Sequence, residues 1–385
     1  MLTAMLLLWA VLLSCVSSAV GYELLRDYSG ENFFNGWDFY GYWDNLTLGN
    51  TTWVTEEAAT QQKLAYINDA GNAIMRVDNF TTVAEGDKRN AVRITTQDYY
   101  DYGTLWILDA VHLPYGCSVW PAFWSMGHDW PVGGEIDIVE AINVMPNNQM
   151  ALHTTEGCTH VTPSDQLGYS GGDDCGTGSG CIVSENAANS YESGFAAAGG
   201  GVFATQFDVT GIYMWFWSRP DIPDVIKNAN STSPMNISTW GDPHASYPNT
   251  TSCDLSTFFT EQQLIFDITL CGDWAGVPGI YDSECYAAGP AHNCYLDNVV
   301  GNGSNYDDAY FEVSYVRIYT TAAVLPSNSS SGASATSTSG DPTTSSTSAT
   351  TPDPTLAQKS GASRIRGDAW LGLLAATVLT AFALF

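Results

Sequence analysis

Between about residue 20 and residue 325 the apolar positions fall in short runs, many alternating with polar ones at a period of two, and helical periodicity is not sustained. The pattern predicts strands over 91–95, 105–110, 135–139, 151–154, 201–207, 213–217, 264–270 and 311–319. Turns rich in Gly and Asn separate them, and no helices alternate with them. The expected architecture is therefore an all-β antiparallel sandwich of two stacked sheets rather than a βαβ fold. No repeat period marks a propeller or solenoid. Two stretches, 168–189 and 271–305, read as long loops.

One predicted strand carries an unusual load. Gly133-Gly134-Glu135-Ile136-Asp137-Ile138-Val139-Glu140 sets three acids among isoleucines. In an extended chain Glu135 and Asp137 share one face while Ile136 and Ile138 pack on the other. Glu140, five residues from Glu135, points away by parity; one extra residue in a β-bulge near Val139 returns it to the acid face. Like charges on one sheet face repel and give a structural strand nothing. Cleavage of a glycosidic bond needs them, one carboxylate ionised to attack the anomeric carbon and another protonated to serve the departing oxygen. The expected roles are Glu135 as nucleophile, Asp137 as the middle acid that orients and tunes it, and Glu140 as acid and then base. Trp120, Phe123, Trp124 and Trp130 precede the strand closely, and apolar faces of sugar rings stack on such side chains. His153, on the next predicted strand, is placed to bond an acid or a sugar hydroxyl. Trp215 and Trp217 share a strand face and fit either core or site. The histidines show no metal-ligand spacing, so no metal ligands are assigned.

Outside 20–325 the composition changes. Residues 1–19 hold a short apolar run followed by small residues, the layout of a secretory signal peptide. Residues 326–362 are dominated by Ser and Thr and read as a disordered, O-glycosylated linker. Residues 363–385 give a polar spacer and an uncharged apolar tail, the layout of a glycosylphosphatidylinositol attachment signal, with a transmembrane tail anchor as the alternative. Eight cysteines then remain beyond the signal, an even count that predicts four disulfides of unassigned pairing, and five of them lie in the two long loops. Eight N-x-S/T sequons, at Asn45, Asn50, Asn79, Asn230, Asn236, Asn249, Asn302 and Asn328, fit an exported glycoprotein. The formal net charge of −29, with only 12 Lys and Arg, argues against nucleic acid or an anionic membrane surface as a partner and favours a neutral polymer.

Trp120-Pro121-Ala122-Phe123-Trp124, Gly134 through Glu140, Leu152-His153-Thr154 and Cys271-Gly272-Asp273-Trp274-Ala275-Gly276 together resemble glycoside hydrolase family 16, in particular its fungal endo-1,3(4)-β-glucanases of the laminarinase type. The resemblance covers about residues 22–320. It implies a concanavalin A-like jelly roll of two curved sheets with an open cleft, and endo-hydrolysis of β-1,3- or mixed β-1,3/1,4-glucans with retention. It supports the role order above and adds Trp124, Trp130, His153 and Trp274 as substrate contacts. Taken with the terminal signals, the expectation is no cofactor, a β-glucan polysaccharide as partner, a monomer, and an extracellular, cell-surface or cell-wall location with membrane contact only through the lipid anchor. Family members with the shorter E-x-D-x-E spacing include lipid-anchored wall transglycosylases; this chain has the longer spacing, which favours hydrolysis. A glucan transglycosylase and a catalytically silent glucan-binding wall protein are the alternatives.

Overall fold

A computed structural model of the chain describes residues 21–321. The expected signal peptide, linker and anchor signal, and the sequon at Asn328, lie outside the described residues. Among those described, no helix is long and apolar enough to cross a membrane.

Two eight-stranded antiparallel sheets dominate. The acid sheet runs, edge to edge, through Tyr169–Ser170, Cys181–Ser184, Gln149–His153, Glu135–Glu140, Val119–Met126, Gln263–Leu270, Arg93–Thr96 and Trp37–Phe39. The opposite sheet runs through Ala245–Pro248, Gly211–Ser218, Gly201–Asp208, Thr104–His112, Tyr310–Thr321, Ala73–Arg76 and Ala65–Ile67, with Tyr22–Ser29 also paired to Tyr310–Thr321. A small third sheet joins Tyr42–Trp43, Thr51–Trp53 and Arg89–Ala91. Phe123, Ile136, Ile138, Leu152 and Phe266 from the acid sheet share one buried cluster with Trp106, Leu108, Phe203, Phe216 and Val316 from the other. That shared core makes the two sheets a sandwich, as the alternation predicts.

Alternation fades where both faces are covered. Thr104–His112 is buried almost throughout, because Leu105 and Ile107 face away from the main core into a second cluster with Val202, Trp215, Ile222, Ile226, Met235 and Trp240. Asp109 interrupts this apolar run and meets Arg219 in a two-pronged ion pair, each contact 2.8 Å. Trp215 and Trp217 belong here: each meets Trp240 edge to face, at 5.4 and 5.1 Å.

Seven of the eight predicted strands form within a few residues of the expected limits. The predicted strand 91–95 is divided instead, Arg89–Ala91 pairing in parallel with Thr51–Trp53 and Arg93–Thr96 joining the acid sheet. The long loops are also less bare than their composition predicts. Residues 168–189 contain the edge strands Tyr169–Ser170 and Cys181–Ser184, and residues 271–305 contain the helices Gly272–Ala275 and Pro278–Cys285, the latter opened by proline, which suits a first helical turn. All eight cysteines pair: Cys117–Cys285, Cys158–Cys253, Cys175–Cys181 and Cys271–Cys294. Three of the four bridges have an end in those two stretches, and the fourth, Cys158–Cys253, joins segments outside them.

Candidate active site

The acid strand begins at a position only glycine fills. Gly134 has φ +73°, and a side chain on it would run into the ring of Phe259. Glu135–Glu140 then lies between Val119–Met126 and Gln149–His153, central enough for its register to be fixed from both sides. On one side Trp124 opposes Asp137 and Phe123 opposes Val139, which skips Ile138. On the other, Ala151 opposes Asp137 and Gln149 opposes Glu140, so two residues of the acid strand face one of its neighbour. This is a β-bulge at Ile138–Val139. Ile136, Ile138 and Val139 all point into the core, at most 2 % exposed, and the parity gained turns Glu140 outward with Glu135 and Asp137.

Each flanking element adds a donor. The Trp120 indole Nε1–H donates to Glu140 Oε1 at 2.9 Å, and Trp130 Nε1–H donates to Glu135 Oε2. His153, directly opposite Glu135 in the ladder, places Nε2 3.2 Å from Asp137 Oδ2 and 4.0 Å from Glu135 Oε1. Trp274, on the short helix after Cys271, packs edge-on against Trp120 at 5.3 Å. No lysine or arginine pairs with the three acids among the described residues, and Asp137 is buried. Glu135 is pushed up to about 8, first by loss of water and then by the neighbouring Asp137, against the pull of His153 and the Trp130 bond. Asp137 is pushed up to about 8, chiefly by its burial. Glu140 is raised well above the carboxylate range by burial and then by Asp137, with the Trp120 bond opposing. Such a trio shares protons at neutral pH.

The acid face continues across the sheet. Asp267, opposite Ala122, accepts the Trp124 indole N–H at 3.0 Å and pairs with Arg93 at 2.9 Å. Burial pushes Asp267 up to about 6 despite that partner. Arg93 lies over the rings of Tyr40, Trp53 and Trp124 at 5.1 to 5.2 Å, a cationic floor between aromatic walls. Tyr40 is more than one third exposed. The face therefore runs from His153 and Trp130, past the acids, to Trp124, Arg93 and Tyr40.

The structure brings together Glu135, Asp137, Glu140, Trp120, Trp124, Trp130, His153 and Trp274, whereas Phe123, read with them as a stacking surface, is buried in the core between the sheets. Asp267, Arg93 and the Trp120 bond were not foreseen. Asp267 carried the same sign as Glu135, an acid inside an alternating apolar strand, but lies far off in sequence. Glu135, Asp137 and His153 each offer an atom within 4.8 Å of the others, a spacing a cation fits.

The chain as a whole is similar to known proteins. A family model described as XgeA-like, catalytic GH16 domain matches residues 37–319. A probable glycosidase of Schizosaccharomyces pombe is 37 % identical over 305 residues, covering 77 % of this chain and 69 % of that one. An endo-1,3(4)-β-glucanase of Emericella nidulans is 34 % identical over 314 residues, covering 78 % of this chain and 48 % of that one. The chain thus spans just under half the length of that relative. Among solved structures, laminarinase 16A from Phanerochaete chrysosporium, with β-glucans in donor and acceptor sites, aligns with TM-score 0.71 at 33 % identity over 78 % of this chain and 99 % of that one. An elongating β-1,3-glucosyltransferase aligns with TM-score 0.71 at 34 % identity over 78 % of this chain and all of that one.

Proposed function

The chain belongs to glycoside hydrolase family 16, and from that premise we propose that it cleaves β-1,3- or mixed β-1,3/1,4-glucans within the chain, by double displacement with retention. The observation that carries the reading is the bulged acid strand, which turns Glu135, Asp137 and Glu140 to one face beside indole donors. In the first step a Glu135 oxygen attacks the anomeric carbon as the glycosidic bond breaks, and Glu140 gives its proton to the departing oxygen. In the second, Glu140 takes a proton from water, the oxygen of that water bonds to the anomeric carbon, and Glu135 leaves as carboxylate. Glu135 takes the attacking role because Trp130 and His153 both favour its charge and offset part of the rise that burial and Asp137 impose, while Asp137 beside it shares the proton of the coupled pair and tunes it. Trp124, Trp130 and Trp274 supply stacking surfaces, and His153 and the Arg93–Asp267 pair supply hydroxyl partners. The four disulfides support a working place outside the cytosol, in keeping with an extracellular, lipid-tethered enzyme on cell-wall or environmental glucan.

The likeness to a glucosyltransferase keeps a second outcome of the same intermediate in view, in which a sugar hydroxyl replaces water as acceptor. Incubation with laminarin, lichenan and cellulose tests both. Hydrolysis raises reducing ends and gives β-configured product first, whereas transfer gives products longer than the donor. Glu135→Gln should abolish turnover and leave glucan binding intact; full activity in that variant removes Glu135 as nucleophile.

A further inference from the structure

A bulge leaves backbone groups without ladder partners, and the one in the acid strand strands them next to Glu140. Skipping Ile138 on one side and facing Ile138 and Val139 to a single residue on the other takes the Ile138 carbonyl and the Glu140 N–H out of regular pairing. Both are met by one side chain. Asn148, in the turn returning to Gln149–His153, donates from Nδ2 to the Ile138 carbonyl at 2.9 Å and accepts the Glu140 N–H on Oδ1 at 2.9 Å. A side-chain amide thus stands in for the missing peptide of the neighbouring strand. It is 1 % exposed and is itself held at both ends: its own N–H donates to the buried Ser190 Oγ at 3.1 Å, and its carbonyl accepts the Glu185 N–H at 2.9 Å.

We propose that Asn148 is the positioning residue for the acid/base, fixing the bulge and so keeping Glu140 on the face of Glu135. This rests on the glucan-cleaving role proposed above. Without Asn148 the strand gains by closing the bulge, since a regular ladder pairs both groups; that slip turns Glu140 towards the core side of the sheet. Asn148 touches no substrate and acts through Glu140 alone. Its loss therefore has a signature that general unfolding lacks. A step that needs proton donation suffers, and a step that does not is spared.

The test uses aryl β-laminaribiosides with an unsubstituted phenol or a dinitrophenol as leaving group, the wild-type protein, and Asn148→Leu, which keeps the bulk and removes both hydrogen bonds. Dinitrophenolate departs without a proton. With the phenyl donor kcat/KM should fall about a hundredfold, the low end of what a general acid contributes, because Glu140 is displaced rather than deleted. With the dinitrophenyl donor kcat/KM should change less than about threefold. Azide, which attacks the glycosyl-enzyme without a base, should raise kcat of the variant on the dinitrophenyl donor and yield a β-glycosyl azide. If Asn148→Leu fails to fold, Asn148→Asp keeps the acceptor for the Glu140 N–H and is scored the same way. Equal loss on both donors without azide rescue, or no loss on either, overturns the proposal while leaving the glucan reading standing. A wild-type protein inert towards both donors and towards laminarin overturns that reading and this inference with it.

Discussion

The two sheets bury alike faces against each other and differ in what they do with the faces turned away. On the opposite sheet, Trp215 and Trp217 are covered by Ile222, Ile226, Met235 and Trp240, and the acid of that face, Asp109, is clamped by Arg219. The Trp215 indole N–H is spent on the carbonyl of Gly241. On the acid sheet Trp120 and Trp124 stay half-buried, and their indole N–H groups go to carboxylates. Tryptophan and acid are present on both faces. What distinguishes the acid face is that Glu135, Asp137 and Glu140, unlike Asp267 with its Arg93 partner, have no lysine or arginine among the described residues, and indole donors point at two of them.

Exchanging an acid on each face breaks this contrast most sharply. Glu140→Gln should lower laminarin hydrolysis by about 10²–10⁴-fold, the range for losing a general acid and base, while Asp109→Asn should leave kcat/KM unchanged in the folded protein. Activity lost equally in both would erase the distinction. The tryptophans give the next effect. Trp215→Ala should cost about 3–5 kcal/mol in denaturant unfolding, as a buried large-to-small change does. Trp124→Phe should instead cost about 1.5–3 kcal/mol, through one lost hydrogen bond to Asp267, and weaken glucan turnover about tenfold through the smaller stacking ring.

The smallest effect is in pH. Glu135 and Asp137 are pushed up to about 8, so the native protein binds protons more tightly than the unfolded chain above the ordinary carboxylate range. The stability they contribute is full below about pH 4 and is lost as the pH rises towards 8. Asp137→Asn removes one of these titrations. Its melting temperature relative to wild type should therefore climb from pH 4 to pH 8, and a constant gap would show that the acid face titrates normally.

How much of this was legible follows from where the information sits. The acid strand was readable because its chemistry is local: alternation with isoleucine gives the face, and the odd spacing of Glu140 demands the bulge. The strand beside it, Val119–Met126, was read only for its aromatics, and Pro121 near its start is uncommon in a central strand. The structure resolves the conflict: the ladder to the acid strand starts at Ala122, and Pro121 is paired only towards Ile268. Arg93 and Asp267 are 174 positions apart, and nothing local shows that they meet. Asn148 is an unremarkable turn residue in sequence; its meaning appears only when the bulge it fills has been seen. Trp215 and Trp217 fitted either role until the covering segment, distant in pattern from any strand, was placed over them.

Trp130 holds a further consequence. It is 58 % exposed, yet its indole donates to Glu135, so the bond that calms the attacking carboxylate lies within reach of whatever enters the groove. A polysaccharide that draws this ring aside to stack on it strips Glu135 of a donor and pushes its carboxyl further towards the protonated form. One exposed ring thus meets the solvent and keeps the carboxylate beneath it charged, and a glucan that rests on it without breaking the bond preserves both.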